Sequence, residues 1–226
     1  VALSTVVLPQ LSREHAAQSS EEYAKTLRWA LRCVWLIGLP CAVGLILLSG
    51  PILATLIYHG DFNAFDVIMT RKSLMAFALG LPAFMWVKVL ASAFYAQQNI
   101  KTPVKIAAIA LCVNVVLNVL LIHSLAHAGL ALSSSIASIV NAGLLYWFIS
   151  RQLHQATEKK IVWRVVLAVM VMAGGLFFMI PHLQTWLHWD EFTRLWHLLL
   201  ALLIGGASYF LSLSIFGVRL QDIKTA

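Results

Sequence analysis

Charge is scarce in this sequence. Of its 226 residues only 11% are Asp, Glu, Lys or Arg, where an ordinary soluble domain carries about 25%. At the same time 61% are hydrophobic and the mean hydropathy is +0.85, more apolar surface than one core can hide. That balance excludes a disordered chain and an ordinary soluble enzyme; the surplus must face lipid. Cysteine is scarce too. Cys33, Cys41 and Cys112 lie inside apolar runs without a CxxC pair, and read as small packing residues. Acids are missing where an intramembrane enzyme would need them, since all nine lie outside the long apolar runs. His123 and His127 have the i, i+4 spacing of a metal pair but flank a short turn with no acidic third ligand, so neither a metal site nor a catalytic residue is expected.

What is present is a series of apolar runs of membrane length: residues 29–49, 73–97, 103–124, 129–150, 161–181 and 195–217. A helix of about 20 residues crosses a hydrocarbon core of about 30 Å. A barrel would alternate polar and apolar residues in segments of about ten, and these runs are continuous. The expected fold is all-α: a polytopic membrane helix bundle with six complete transmembrane helices plus a partial N-terminal helix. The partial helix is residues 1–11, VALSTVVLPQL, apolar but too short to span. The chain opens on Val, without the basic start and cleavage site of a signal peptide, and reads as a truncated chain that begins inside a helix.

Basic residues orient the bundle. Arg13, Lys25, Arg28, Arg32, Lys101, Lys105, Arg151, Lys159, Lys160, Arg164, Arg219 and Lys224 flank one side, whereas Arg71, Lys72 and Arg194 flank the other. The positive-inside rule makes the first side cytoplasmic. Juxtamembrane basic residues facing anionic lipid then account for the net charge of +7 without a nucleic-acid partner. Trp29, Trp147 and Trp163 near inner ends, with Trp186, Trp189 and Trp196 near outer ends, fit interfacial belts.

Local signals place the boundaries. Thr102-Pro103 reads as a cap followed by a proline at the first helical position, and Asn63 with Asp66 as a capping box. Pro51 opens a stretch, PILATLIY, expected in the outer interface. Pro40 and Pro82 lie within spans, where each removes a backbone hydrogen bond and should bend or loosen its helix.

Polar residues inside the spans carry the functional signal. Arg32, Lys105 and Arg164 sit about one turn from inner ends and can snorkel. Lys88 lies about 13 Å from the inner end of its span, farther than a lysine stem reaches. It should face a protein interior or a wet cavity, either as a cavity residue or in a structural pairing. Ser92 and Tyr95 follow at i+4 and i+7 on the same face. Asn114 and Asn118 are one turn apart on the next span, and Ser134, Ser138 and Asn141 form a stripe on the one after. These amides and hydroxyls either offer neutral oxygens to a small cation or bind two helices together. The last two spans carry only Gly174-Gly175 and Gly205-Gly206, which permit close helix approach or a shallow groove.

VALSTVVLPQLSR, GLPCAVGLILLSGPI and FYAQQNIKTPVKIA resemble segments of the MurJ (MviN) lipid II flippases, within the multidrug and oligosaccharidyl-lipid exporter superfamily. The resemblance runs along the whole chain and implies the C-terminal part of a fourteen-helix inner-membrane transporter, from the end of helix eight onward. It implies a non-enzymatic flippase that moves the undecaprenyl-pyrophosphate-linked peptidoglycan precursor outward by alternating access. Its partners are then lipid II, membrane lipids and the missing N-terminal half, where the family's cavity arginines mainly lie. No cofactor is implied; sodium or the membrane potential is the candidate driving force. In some members sodium sits near an Asn and an Asp one turn apart on helix eleven, matching Asn114 and Asn118, with Ser134 as the hydroxyl on the next helix. Asn118 in place of Asp removes the negative charge. The last two helices are expected to line a groove for a polyprenyl tail. The alternatives are another exporter of the superfamily or a non-transporting membrane scaffold.

Overall fold

The computed structural model describes residues 2–153 and 159–217. Among these residues there is no strand, and the helices run α1 (Ala2–Ala16), α2 (Ser20–Leu56), α3 (Ala64–Leu79), α4 (Leu81–Ala96), α5 (Lys101–Leu125), α6 (His127–Leu153), α7 (Lys159–Met179), α8 (Leu183–His188) and α9 (Glu191–Ile215). Six stretches are long and apolar enough to cross a membrane, with α3 and α4 counting together as one of 33 residues. The chain is therefore an all-α polytopic bundle, and α1 is the additional N-terminal helix.

Capping chemistry sets two of the helix starts. The Asn63 side chain accepts from the backbone of Phe65 and Asp66 while the Asp66 carboxylate accepts from Asn63 N–H, the reciprocal box read from the sequence. The start of α5 differs from the expectation. It begins at Lys101 after Ile100, which offers no capping side chain, and Asn99 Oδ1, one residue earlier, accepts from Thr102 N–H at 3.2 Å. Pro103 is then the third helical residue, still among the positions whose N–H has no intrahelical partner.

The prolines behave unequally. The stretch after Pro51 continues α2 rather than opening a new segment: Pro51, Leu53 and Ala54 are buried in its last turns. Pro40 is also inside continuous helix. Its ring cannot donate to the Leu36 carbonyl four residues back, and Tyr209 Oη of α9 donates there instead at 2.7 Å. An external donor thus satisfies the orphaned acceptor, and α2 runs on. At Pro82 the helix breaks, because α3 ends at Leu79 and α4 begins at Leu81 around Gly80.

The long α2 joins two apolar cores. Its inner half contributes Leu27, Leu31 and Val34 to a core with Val7 and Leu11 of α1, Leu90 and Phe94 of α4, and Leu145 and Ile149 of α6. Its outer half contributes Leu36, Leu48 and Ala54 to a second core with Val165 and Leu176 of α7, Trp186 of α8, and Leu198 and Tyr209 of α9. Polar ties join α2 to both neighbours: Thr26 Oγ1 donates to Glu14 Oε1 of α1 at 2.7 Å, and Tyr23 Oη donates to the Ala93 carbonyl of α4 at 2.6 Å. Of the glycine pairs, Gly205 meets the Leu176 side chain closely, whereas Gly174, Gly175 and Gly206 face open space.

Two outer-end residues are buried, and the first departs from the sequence reading. Trp186 is fully buried rather than belt-forming, beside Trp189 and His197. Arg194, read as an outer flank residue, is only 7% exposed. Its Nε donates to the Trp186 carbonyl at 2.9 Å, Nη2 to Leu187 at 2.9 Å, and Nη1 to Ala54 at 3.0 Å and Tyr58 at 3.4 Å. The guanidinium also lies 4.9 Å from the Tyr58 ring. One cation thereby gathers carbonyls at the C-terminal ends of α2 and α8, where the helix dipoles are negative.

Charge bias gives a direct test of orientation. The α1–α2 turn is expected to be cytoplasmic, so a cysteine at exposed Gln18 should resist an impermeant thiol reagent in intact cells and react after permeabilisation. Ready labelling in intact cells would invert the assignment. The companion position Gln155 lies outside the described residues.

Candidate functional site: a groove at Lys88

One side of the α3–α4 span, on both sides of the break at Gly80, lines a groove of about 420 Å³. It is lined by Ser4 of α1, Val34 of α2, Phe77 of α3, and Leu81, Phe84, Met85, Lys88 and Val89 of α4. Lys88 is exposed in this groove, and its ammonium makes no hydrogen bond or ion pair with any described residue. A lysine at this depth in lipid costs several kcal/mol, so an open groove with apolar walls is tolerable only if water, other protein or an anion meets the ammonium. The structural pairing considered from the sequence is not seen among the described residues.

The stripe Lys88, Ser92, Tyr95 does not act as one surface. Ser92 is buried and turned toward α1: its hydroxyl donates to the Lys88 carbonyl at 2.9 Å and lies 2.7 Å from Ser4 Oγ. Tyr95 is exposed two turns nearer the basic end and does not line the groove. Ser4 joins the groove instead. Nothing in the local pattern marks Ser4, because only helix packing brings it beside α4.

A second polar cluster lies between α5 and α6. The outer turn between them is tight: Ala126 has a φ of 47°, and a Cβ on Gly129 would lie 2.6 Å from the Leu121 carbonyl oxygen. In the membrane, Asn118 Nδ2 donates to Asn114 Oδ1 at 2.8 Å, and Asn114 Nδ2 donates to Ser134 Oγ at 3.2 Å. Ser133, overlooked beside Ser134, donates to Asn118 Oδ1. The three predicted groups thus converge, with each amide oxygen already accepting one bond and keeping a second lone pair. Asn141, farther along α6, has a buried Oδ1 with no partner among the described residues. His123 and His127 are both exposed at the outer turn.

Comparison with known proteins agrees with this architecture. The profile of the family described as "Lipid II flippase MurJ" matches residues 1–199. A "Probable lipid II flippase MurJ" of Vibrio cholerae serotype O1 is 38% identical over all of this chain and 44% of its own length. One of Haemophilus influenzae is 35% identical over all of this chain and 46% of its own. A solved structure, "Lipid II flippase MurJ, inward closed conformation", superposes with a TM-score of 0.81 at 28% identity, covering 96% of this chain and 42% of that one. The chain thus spans less than half the length of the relatives it matches. With profile, relatives and fold in agreement over most of its residues, the chain belongs to the MurJ lipid II flippase family.

Proposed function

We propose that this chain is the C-terminal portion of a lipid II flippase of the bacterial inner membrane, a transporter and not an enzyme. The observation that carries this reading is Lys88, an unpaired cation at membrane depth, in a groove of a chain that belongs to this family. The substrate expected of the family is anionic at its pyrophosphate and apolar at its tail. In a partly dehydrated groove the attraction between ammonium and pyrophosphate is several-fold stronger than in bulk water. Apart from the Ser4 hydroxyl, which is engaged with Ser92, the walls around Lys88 are apolar, so the charge selects for an anion. No bond is made or broken. Translocation consists of exposing the groove first to one side of the membrane and then to the other, with the rest of the protein completing the cavity.

The reading is tested with the full-length protein in vesicles carrying fluorescent lipid II. Protein-dependent appearance of lipid II in the opposite leaflet is expected. Equal transport of neutral polyprenols, or none of lipid II, would overturn it.

The α5–α6 cluster suggests that sodium coupling is weak. Asn114, Asn118 and Ser134 present neutral oxygens already engaged with one another, and a site without a carboxylate lacks its strongest electrostatic contribution. Asn118→Asp is expected to strengthen sodium dependence of transport, because the new charge sits among converging groups. Loss of folded protein with no ion effect would leave the cluster as a helix junction only. Steep sodium dependence in the unmodified protein, abolished by Asn114→Ala, would contradict weak coupling.

A further inference from the structure

The α3–α4 break is held from both sides. On the α6 side, buried Ser135 donates its hydroxyl to the Ala76 carbonyl at 2.7 Å and lies 3.2 Å from that of Phe77, acceptors near the end of α3. A Cβ on Gly80 would come within 2.6 Å of Ser135 Oγ and 2.7 Å of its Cα, so only glycine lets the break seat this closely on α6. On the groove side, Phe77 of the outer segment stacks on Phe84 of the inner one, with centroids 4.9 Å apart and planes 27° from parallel. The two rings span the break. Both line the groove, and Phe84 lies one helical turn outward of Lys88.

Each segment packs separately against α2 and α6 and makes little contact with the other. Pro82 removes the N–H that would bond Ala78 and make the span one continuous rod. Between the segments themselves, relative motion of α3 and α4 strains the ring stack and the backbone bonds of Gly80, and on the α6 side the Ser135 contacts. We propose that Phe77 and Phe84 form an apolar gate on the outward side of Lys88, hinged at Gly80 and steadied by Ser135. When the stack is closed, rings separate the ammonium from the outer surface; when the segments part, the groove opens outward. This rests on the reading of the groove as the transport cavity.

The test uses the full-length protein freed of native cysteines, with Lys88→Cys as reporter. An impermeant thiol reagent is applied from the outside in intact cells and from the inside in inverted vesicles. Adding Phe84→Ala or Phe77→Ala should raise the outside labelling rate about two- to tenfold, the factor lost with an aromatic pair. Both together should add little more, because either change breaks the same stack. Phe77 is half exposed, so Phe77→Ala carries the test if Phe84→Ala fails to accumulate. Unchanged outside labelling at normal abundance, with labelling from the inside intact, would overturn the gate and leave the transport reading standing. A cysteine at position 88 that labels from neither side in any of these forms would overturn both.

Discussion

Replacing Arg194 by methionine is expected to cost several kcal/mol of folding stability, as loss of a buried donor shared by several carbonyls does. The guanidinium donates to four carbonyls belonging to Ala54, Tyr58, Trp186 and Leu187. Methionine keeps much of the apolar stem but leaves those oxygens without a donor, and each buried orphan costs about 1–3 kcal/mol where water does not replace the bond. The consequence is specific in space. The contacts between the end of α2, α8 and the start of α9 should loosen, while the core around Leu90 and Phe94 should not. Arg194→Lys should recover only part, because an ammonium is a point donor that cannot reproduce a planar fork aimed at several carbonyls. Thermal unfolding of the purified full-length protein in detergent measures the effect. A melting temperature unchanged by Arg194→Met would show that the four bonds contribute little net stability.

Arg194 also marks where the sequence stops being readable. An arginine beside the outer end of an apolar run has the pattern of an interfacial anchor, and nothing nearby says otherwise. Its partners are backbone carbonyls, two of them more than 130 residues earlier, Ala54 in the last turn of α2 and Tyr58 just beyond it, and a carbonyl leaves no trace in composition or spacing. The same reason hid Ser135, whose acceptors are the Ala76 and Phe77 carbonyls on α3, and Ser4, brought to the groove by packing alone. By contrast, the helical bundle was legible because lipid requires long uninterrupted apolar runs. Asn63 and Asp66 were legible because a cap acts within four residues of chain. Lys88 was legible for a third reason: its distance from both ends of its span is a property of the sequence itself. Pro40 and Pro82 looked alike in sequence and differ in structure, because Tyr209 supplies the donor that keeps α2 continuous past Pro40.

The second large effect concerns transport. Lys88→Met is expected to leave the protein folded and in the membrane, because the ammonium has no partner among the described residues to lose and methionine fits the apolar groove. What it removes is the charge. At an effective dielectric near 20, an ammonium and a phosphate oxygen 4 Å apart attract by about 4 kcal/mol. Hydration of the free groove offsets part of this, and a loss of about 2 kcal/mol would lower transport by more than tenfold. Lys88→Arg should retain most activity, since it keeps the positive charge. Lys88→Glu should be worse than Met, because it repels the anion as well as failing to attract it.

The most direct measurement is therefore lipid II translocation by the full-length protein in vesicles, comparing Lys88 with its Arg, Met and Glu replacements at equal reconstituted amounts. Transport that follows the charge at this position, near normal for Arg, more than tenfold lower for Met and lowest for Glu, is the expected result. Transport by the Met form equal to that of the unmodified protein would remove Lys88 and its groove from the path of the substrate.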